Sequence, residues 1–129
     1  MIDLDLGAKQ AIIIGDELHL SNVIFNLIDN SIKYSNHDIL IRIKTRSEDK
    51  KVTLTLSDNG MGMGKEQLSK IFDQFYRIPT GNIHDVKGFG LGLSYVQDIV
   101  KRLGGTIKVK SEIDKGTEFE ITLPLYKLL

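Results

Sequence analysis

The sequence predicts an α+β domain of two layers, in which about three helices pack on one face of a mixed, mostly antiparallel sheet. Apolar residues recur at helical spacing in two long stretches, while apolar and polar residues alternate in several short ones. A chain of 129 residues is the usual size of one domain with a single core, which we place at 1–129. The predicted strands are 2–6, 10–14, 39–46, 52–56, 106–110 and 117–123.

The first long helix is predicted from about Asp16 to Tyr34. It follows the two short strands 2–6 and 10–14, which are separated by Gly7, and Asp16 is a residue type that caps helix N-termini. The apolar residues of this helix fall on one side, which predicts its core face. They are Leu20, Val23, Ile24, Leu27, Ile28 and Ile32.

The middle of the chain predicts a hairpin, a loop and a short helix. Residues 47–50 are polar and join strands 39–46 and 52–56, as a hairpin turn does. The glycine-rich stretch 60–64 predicts a loop, and 65–72 predicts a short helix.

The last third predicts a loop, a helix and two strands. Residues 79–88 contain few apolar side chains, which indicates a loop, and a helix is expected from about Gly92 to Leu103. Gly104 is placed to end that helix in the left-handed conformation. Residues 114–116 then turn the final two strands.

Composition excludes several classes of protein. Lys plus Arg and Asp plus Glu each number 17, so the net charge is zero, and we predict neither nucleic-acid binding nor membrane contact by this domain. The absence of cysteine excludes disulfides and thiolate metal sites, which fits a cytoplasmic setting. No signal peptide is visible, and the apolar runs are too short to span a bilayer.

Glycines alternate at 88–93, immediately before the second long helix. Gly88, Gly90 and Gly92 leave backbone amides uncovered, and Leu91 and Leu93 lie between and after them. The N-terminus of the following helix adds unpaired amides and the positive end of its dipole. This arrangement predicts a phosphate-binding loop, although such turns also occur for packing reasons alone.

Polar side chains lie on one stripe of the first long helix. Asn22, Asn26, Asn30 and Lys33 are spaced by four, four and three residues. Asn is a poor helix former, so its repetition indicates a role beyond an exposed face. Amide oxygens suit Mg²⁺, Lys33 can meet phosphates, and Tyr34 adds an aromatic ring beside them.

The stretch after strand 52–56 predicts a contact with a flat ring. Asp58 lies at the strand end and can accept a hydrogen bond from an amine. Gly60 and Gly62 would let a ring approach the backbone, and Met63 could pack on it. The alternative is an ordinary Asp-Asn-Gly turn.

Two further residues complete the set of candidates. Arg77 opens the loop that leads to the glycines at 88–93, from where it can reach a terminal phosphate and stabilise charge during transfer. Thr117 begins the last strand and becomes a candidate contact only in company with the other motifs.

In this order, the four motifs resemble the catalytic ATP-binding domain of sensor histidine kinases. Residues 26–35 resemble the N box of that family, 58–62 the first glycine box, 72–77 the F box and 88–93 the second glycine box. The resemblance extends over 15–124 and implies the Bergerat ATP-binding fold, shared with gyrase, heat-shock chaperone and mismatch-repair ATPases. It implies ATP and Mg²⁺ as cofactors.

The resemblance also implies a role for each candidate residue. Asn30 would ligate Mg²⁺ with Asn26 close by, and Asp58 would accept from the adenine amine. The other implied roles are phosphate contacts (Lys33, Gly88, Gly90, Leu91, Gly92, Leu93), positions beside the adenine (Tyr34, Thr117), a lid at about 77–89, and Arg77 acting on the γ-phosphate. Gly60, Gly62 and Met63 keep the role predicted above, beside the flat ring.

One departure separates subfamilies. The hydrolysing relatives carry Glu at the position of Asn26, and an amide cannot take a proton from water at neutral pH. The resemblance therefore favours transfer to a histidine over hydrolysis. A serine-phosphorylating relative of the anti-sigma type and a non-catalytic nucleotide-binding module stay as alternatives.

The acceptor is not evident in this chain. None of His19, His37 and His84 sits in the acceptor context of the resembled family, which is a His on a helical hairpin with an acidic residue after it. We expect the chain to be the catalytic part of a longer protein, or a partner acting in trans. Its expected partners are a histidine-bearing dimerisation domain and a downstream response regulator.

Overall fold

A computed structural model describes residues 1–8, 13, 15, 17–35, 38–48, 50–73 and 92–126. Within these residues, five strands and three helices form the predicted α+β fold. In chain order they are β1 (Ile2–Leu6), α1 (Glu17–Lys33), β2 (Ile41–Ser47), β3 (Lys51–Asp58), α2 (Lys65–Leu68), α3 (Gly92–Arg102), β4 (Thr106–Glu112) and β5 (Gly116–Pro124).

The strands form one mixed sheet in the order β1-β2-β3-β5-β4. Only the pairing of β1 with β2 is parallel among these strands, and the other three pairings are antiparallel. In the β3–β5 register Asp58 lies opposite Thr117. The predicted mixed, mostly antiparallel sheet is therefore confirmed, and its register joins two candidate site residues that are far apart in sequence.

The core lies between the sheet and helices α1 and α3. Leu27 of α1, Val96 of α3 and Leu56 of β3 are fully buried within it. Helix α3 packs against α1 and against β4 at one edge of the sheet. This places the inner side of α1 over the sheet and its N-terminal half beside α3.

Helix α3 ends where the sequence predicts. Gly104 has φ +80°, and its amide donates to Lys101 O at 3.0 Å, while the amide of Gly105 donates to Val100 O at 2.9 Å. These two bonds form a Schellman motif, which satisfies carbonyls that the helix itself leaves unpaired. The predicted C-cap is confirmed.

One element prediction differs from the structure, and another lies mostly outside the described residues. Helix α2 ends at Leu68 because the next turns use tighter bonds, from Lys70 N to Gln67 O and from Asp73 N to Lys70 O. Ile13 is half-buried against the core but lies outside any strand, and the rest of 10–14 falls outside the described residues. No described helix has the length and apolarity needed to cross a membrane.

Candidate nucleotide-binding site

Asp58 lies at the C-terminal end of β3, where its carboxylate accepts three hydrogen bonds. Ser31 Oγ of α1 donates to Oδ2 at 2.7 Å. The amides of Gly60 and Thr117 donate to Oδ1 at 2.8 and 3.3 Å. Because donors approach both oxygens from different elements, the carboxylate is held in one orientation.

The backbone around Asp58 requires glycine at two places. Gly116 has φ +125°, and a Cβ built there would lie 1.9 Å from Asp58 O. A Cβ on Gly60 would lie 2.9 Å from Tyr34 O and 3.0 Å from Asp58 Oδ1. Side chains at these positions would displace the elements that orient the carboxylate.

Ser111 of β4 joins three parts of the site through one hydroxyl group. Its Oγ donates to Gly116 O at 2.9 Å and accepts from the amide of Met63 at 2.8 Å. Thr117 Oγ1 lies 2.8 Å from the same oxygen. The loop after β3 is thereby tied to β4 and to the start of β5.

The glycine-rich loop passes close to that turn. Gly62 has φ +69°, and a Cβ on it would lie 1.9 Å from Glu112 O. At the preceding residue, Met61 N donates to Tyr34 O at 3.0 Å and Met61 O accepts from Asp114 N at 2.7 Å. These bonds hold the loop between the end of α1 and the β4–β5 turn.

A pocket of about 380 Å³, counting its opening to solvent, lies above these groups. It combines apolar walls with a few fixed polar groups, as small-molecule sites do. A flat, mostly apolar ring that carries an amine fits this combination, because Asp58 offers acceptors at one wall. The pocket is lined by Asn30, Ser31, Tyr34, Asp58, Gly62, Met63, Leu93, Thr117 and Phe119.

Helices α1 and α3 meet beside this pocket. Asn26 Nδ2 donates to Asn22 O at 2.8 Å, and a Cβ on Gly92 would lie 3.2 Å from Asn26 Oδ1. Tyr95 Oη lies 2.8 Å from His19 Nδ1, which links the two helices at the surface. The amide oxygen of Asn26 is thus placed next to the first residue of α3.

Lys33 lies at the last turn of α1 and pairs with Asp29. The distance from Lys33 Nζ to Asp29 Oδ2 is 2.7 Å, and the Lys33 side chain is one-quarter exposed. An ammonium so placed can exchange a carboxylate for a phosphate oxygen, since both are anionic acceptors.

Comparison with known proteins identifies the family. Residues 15–127 match the family described as Histidine kinase-, DNA gyrase B-, and HSP90-like ATPase. The chain belongs to this ATPase family. It is 49% identical to the sensor protein RprX of Bacteroides fragilis and 40% identical to the signal transduction histidine-protein kinase ArlS of Staphylococcus aureus. These matches cover 98% and 92% of the chain but only 25% and 26% of the two relatives.

Solved structures of histidine kinases share the fold. The mycobacterial sensor histidine kinase MprB superposes with a TM-score of 0.82 at 24% identity, over 98% of this chain and 86% of that one. The catalytic domain of histidine kinase ThkA gives a TM-score of 0.76 at 25% identity, over 96% and 80%. The chain is therefore an ATP-binding domain of the kind found in sensor histidine kinases, and it spans about a quarter of its curated relatives.

The candidate Mg²⁺ ligands of this ATPase domain are amide oxygens and not carboxylates or histidines. Among the described residues, no three His, Cys, Asp or Glu side chains group as a metal site. Asn30 lines the pocket and Asn26 lies one turn before it. A hard cation with few protein ligands and several phosphate or water oxygens fits amide donors of this kind.

The structure brings most predicted site residues together. Asn30, Tyr34, Asp58, Gly62, Met63, Leu93 and Thr117 line one pocket, while Gly60, Asn26 and Gly92 lie beside it. Lys33 follows Asn30 by one turn of α1 and is paired with Asp29. Arg77, Gly88, Gly90, Leu91 and the predicted lid lie outside the described residues.

Sequence reasoning missed Ser31, Ser111 and Phe119. Ser31 is only 4% exposed and falls four residues after the fully buried Leu27. A buried hydroxyl group needs a hydrogen-bond partner, so the position of Ser31 on the core face of α1 could have indicated a polar contact there. Ser111 shares the inward alternation of β4 with Ile107 and Val109, but only the three-dimensional register shows what it bonds.

Proposed function

We propose that this domain binds ATP with Mg²⁺ and transfers the γ-phosphoryl group to a histidine on a separate dimerisation domain. The single observation that carries the proposal is the triply hydrogen-bonded Asp58 carboxylate in the wall of a mostly apolar pocket. The family match and the histidine kinase names of its relatives support the same activity.

Asp58 is proposed to accept a hydrogen bond from the exocyclic amine of adenine. Both carboxylate oxygens are already oriented by donors, and an ionised carboxylate offers about four lone-pair sites, so acceptor capacity is left for a ligand. Gly62 presents backbone without a side chain, while Met63 and Phe119 offer apolar surface to the ring. The base is then recognised by one polar contact within an apolar pocket.

Asn30 is proposed to hold Mg²⁺, with Asn26 close to the same ion. When bound, the metal would supply positive charge that offsets charge on the transferring phosphoryl group. Lys33 contributes a further positive charge after leaving Asp29. The amides at Gly92 and Leu93, and the predicted glycine loop before them, bind phosphate oxygens at the N-terminus of α3.

The transfer itself needs little from this chain beyond positioning. A neutral imidazole nitrogen attacks the γ-phosphorus, the bond to the β–γ bridging oxygen breaks, and ADP leaves with the electron pair. Asn26 stands where a water-activating base would act in hydrolysing relatives, so transfer is favoured over hydrolysis. Arg77 is proposed to stabilise charge on the γ-phosphate during transfer.

The proposed setting is a longer sensor protein. The dimerisation domain would supply the acceptor histidine, and a response regulator would receive the phosphoryl group afterwards. We place the domain in the cytoplasm, without membrane contact of its own and without a nucleic-acid partner. Residues 1–129 constitute its single catalytic domain.

Calorimetric titration with ADP, in the presence and absence of Mg²⁺, tests the nucleotide site directly. We expect saturable binding that strengthens with Mg²⁺ and weakens at least about tenfold in Asp58→Asn, because an amide retains only one oxygen for three donors and the ligand. Asp73→Asn is the control, since Asp73 is exposed outside the pocket.

A second ligand separates base recognition from general affinity. Inosine diphosphate lacks the exocyclic amine, so Asp58→Asn should reduce its binding much less than that of ADP. Equal losses for the two ligands would contradict the adenine contact. Absence of ADP binding to the folded wild-type chain would contradict the proposed function.

A further inference from the structure

The hydroxyl group of Ser111 makes three hydrogen-bond contacts although it carries a single proton. Its Oγ lies 2.9 Å from Gly116 O, 2.8 Å from the amide nitrogen of Met63 and 2.8 Å from Thr117 Oγ1. A carbonyl oxygen can only accept a hydrogen bond, and a backbone amide can only donate one. The proton of Ser111 is therefore committed to Gly116 O, and one of its lone pairs is committed to the Met63 amide.

The third contact fixes the direction of the Thr117 hydroxyl group. Ser111 has no second proton to give, so this bond forms only when Thr117 Oγ1 is the donor. Once its proton points to Ser111, Thr117 Oγ1 offers only lone pairs to any other group. A hydroxyl group that can ordinarily donate or accept is thus restricted to accepting.

The neighbouring side-chain oxygens are restricted in the same way. The hydroxyl proton of Ser31 goes to Asp58 Oδ2 at 2.7 Å, and the Asp58 carboxylate has no proton to donate. Ser31, Asp58 and Thr117 all line the pocket. The side-chain oxygens of these three residues therefore present lone pairs and no protons to a ligand.

Ser111 reaches a ligand only through Thr117. The two residues are partners in the β4–β5 register, and paired residues point to the same face of a sheet. Thr117 shares that inner face with the buried Phe119, two residues further along β5, and both line the pocket. Ser111 does not line the pocket, so its effect on a ligand is indirect.

We propose that Ser111 is a positioning residue that commits Thr117 to accepting, so that the pocket favours a base with an amine over one with a carbonyl group beside Asp58. An amine donates to these oxygens, whereas a carbonyl oxygen would face their lone pairs without a donor. A site whose polar groups match one hydrogen-bonding pattern rejects the other, because polar groups are then left unpaired. The inference rests on the proposed function in one respect, namely that the ligand is a nucleotide.

Calorimetric titration with ADP and with inosine diphosphate measures this preference as the ratio of the two affinities. Ser111→Ala frees the Thr117 proton to turn toward the ligand and donate to a carbonyl group. We expect it to lower the ratio of ADP affinity to inosine diphosphate affinity at least about fivefold, which is the usual effect of one hydrogen bond. Ser111→Thr keeps the hydroxyl group and should keep the ratio of the wild type.

A purely structural effect of Ser111→Ala is separated by repeating it in a Thr117→Val background. The alanine also releases the Met63 amide and Gly116 O, so the loop after β3 could shift. Valine removes the hydroxyl group of Thr117 and should by itself lower the ratio. If Ser111 acts through that hydroxyl group, Ser111→Ala should then change the ratio no further, whereas an equal fall in both backgrounds would overturn the proposal.

Ser57→Ala is the matched control, because Ser57 precedes Asp58 on β3 and points to the other face of the sheet. It should leave the ratio unchanged. Thr117→Val alone tests the same wall if Ser111→Ala does not fold, and an unchanged ratio in either variant would overturn the proposal. Binding of ADP with a ratio independent of Ser111 would leave the proposed function intact, whereas absence of ADP binding to the wild type would contradict both.

Discussion

The two ends of the nucleotide site differ in how far they are built before a ligand arrives. At the proposed base end, Asp58 is oriented by donors from α1, the glycine-rich loop and β5. At the proposed phosphate end, Asn26 donates to its own helix and Lys33 pairs with Asp29. The base end is thus preorganised by contacts between elements, whereas Asn26 and Lys33 at the phosphate end each have a contact within their own helix that a ligand can replace.

This difference predicts different consequences of substitution. Contacts at the base end also join strands, so their loss should affect folding and binding together. Contacts at the phosphate end should affect binding while leaving stability almost unchanged. The following substitutions test that contrast, in order of decreasing expected effect.

Gly62→Ala should have the largest effect, because its Cβ would meet Glu112 O at 1.9 Å and its φ is +69°. We expect a loss of at least about 2 kcal/mol in the free energy of unfolding, measured by urea denaturation, together with loss of ADP binding. Gly64→Ala is the matched control, since its Cβ would meet only Ile113 Cδ1 at 3.4 Å; because Gly64 caps α2 and Ala caps poorly, a cost of no more than about 1 kcal/mol is expected. Similar effects from both would break the comparison.

Asn30→Ala should remove most of the gain in ADP affinity that Mg²⁺ provides, on the order of tenfold, while the free energy of unfolding changes little. Calorimetry with and without Mg²⁺ measures the first quantity and urea denaturation the second. Asn22→Ala, on the same stripe of α1 but outside the pocket lining, is the control. An unchanged response to Mg²⁺ would remove Asn30 as the metal ligand.

Ser31→Ala sharpens the comparison at the base end. The substitution removes the donor to Asp58 Oδ2 but keeps a good helix former in α1, so we expect about a fivefold loss of ADP affinity. Discrimination between ADP and inosine diphosphate should fall in parallel. Ser69→Ala, which removes an exposed hydroxyl bonded to Glu66 O, should change neither quantity.

Asp29→Asn should have the smallest effect, and in the opposite direction. Releasing Lys33 from its partner should raise ADP affinity by no more than about twofold at low salt, because exposed ion pairs contribute little. The gain should disappear at high ionic strength, where such pairs are screened. Asp98→Asn breaks a similar i,i+4 pair with Arg102 on α3 and should leave affinity unchanged.

Local sequence patterns predicted helices and their ends well where a single feature, such as regular apolar spacing or a glycine, determined them. The helical spacing of α1 predicted its span, and the glycine at 104 predicted the end of α3. The short helix α2 ended early because its last turns adopt tighter bonds, which apolar spacing does not distinguish from an α-helix. Boundaries set by competing hydrogen bonds are less visible in sequence than those set by glycine.

The candidate site was predicted as a set of motifs rather than as a geometry. The order of the motifs predicted that Asp58, Asn30 and Thr117 contact one ligand, and all three line one pocket. The β3–β5 register explains why Asp58 and Thr117 lie close together. Ser111 could not be predicted, because its three partners come from the loop after β3 and from the start of β5. Such contacts depend on tertiary register, which no local pattern encodes.

The Schellman motif that ends α3 has a mechanical consequence. It fastens the helix at Gly104, and the buried Val96, Ile99 and Val100 fix its second half, whereas Gly92 at the other end lies beside the proposed phosphate site. Helix α3 is therefore held firmly at its C-terminal end, and any change in its backbone position on ligand binding should be confined to its first turn. Amide hydrogen exchange along α3 should accordingly be slowest near Val100, and nucleotide should slow it most at the start of the helix.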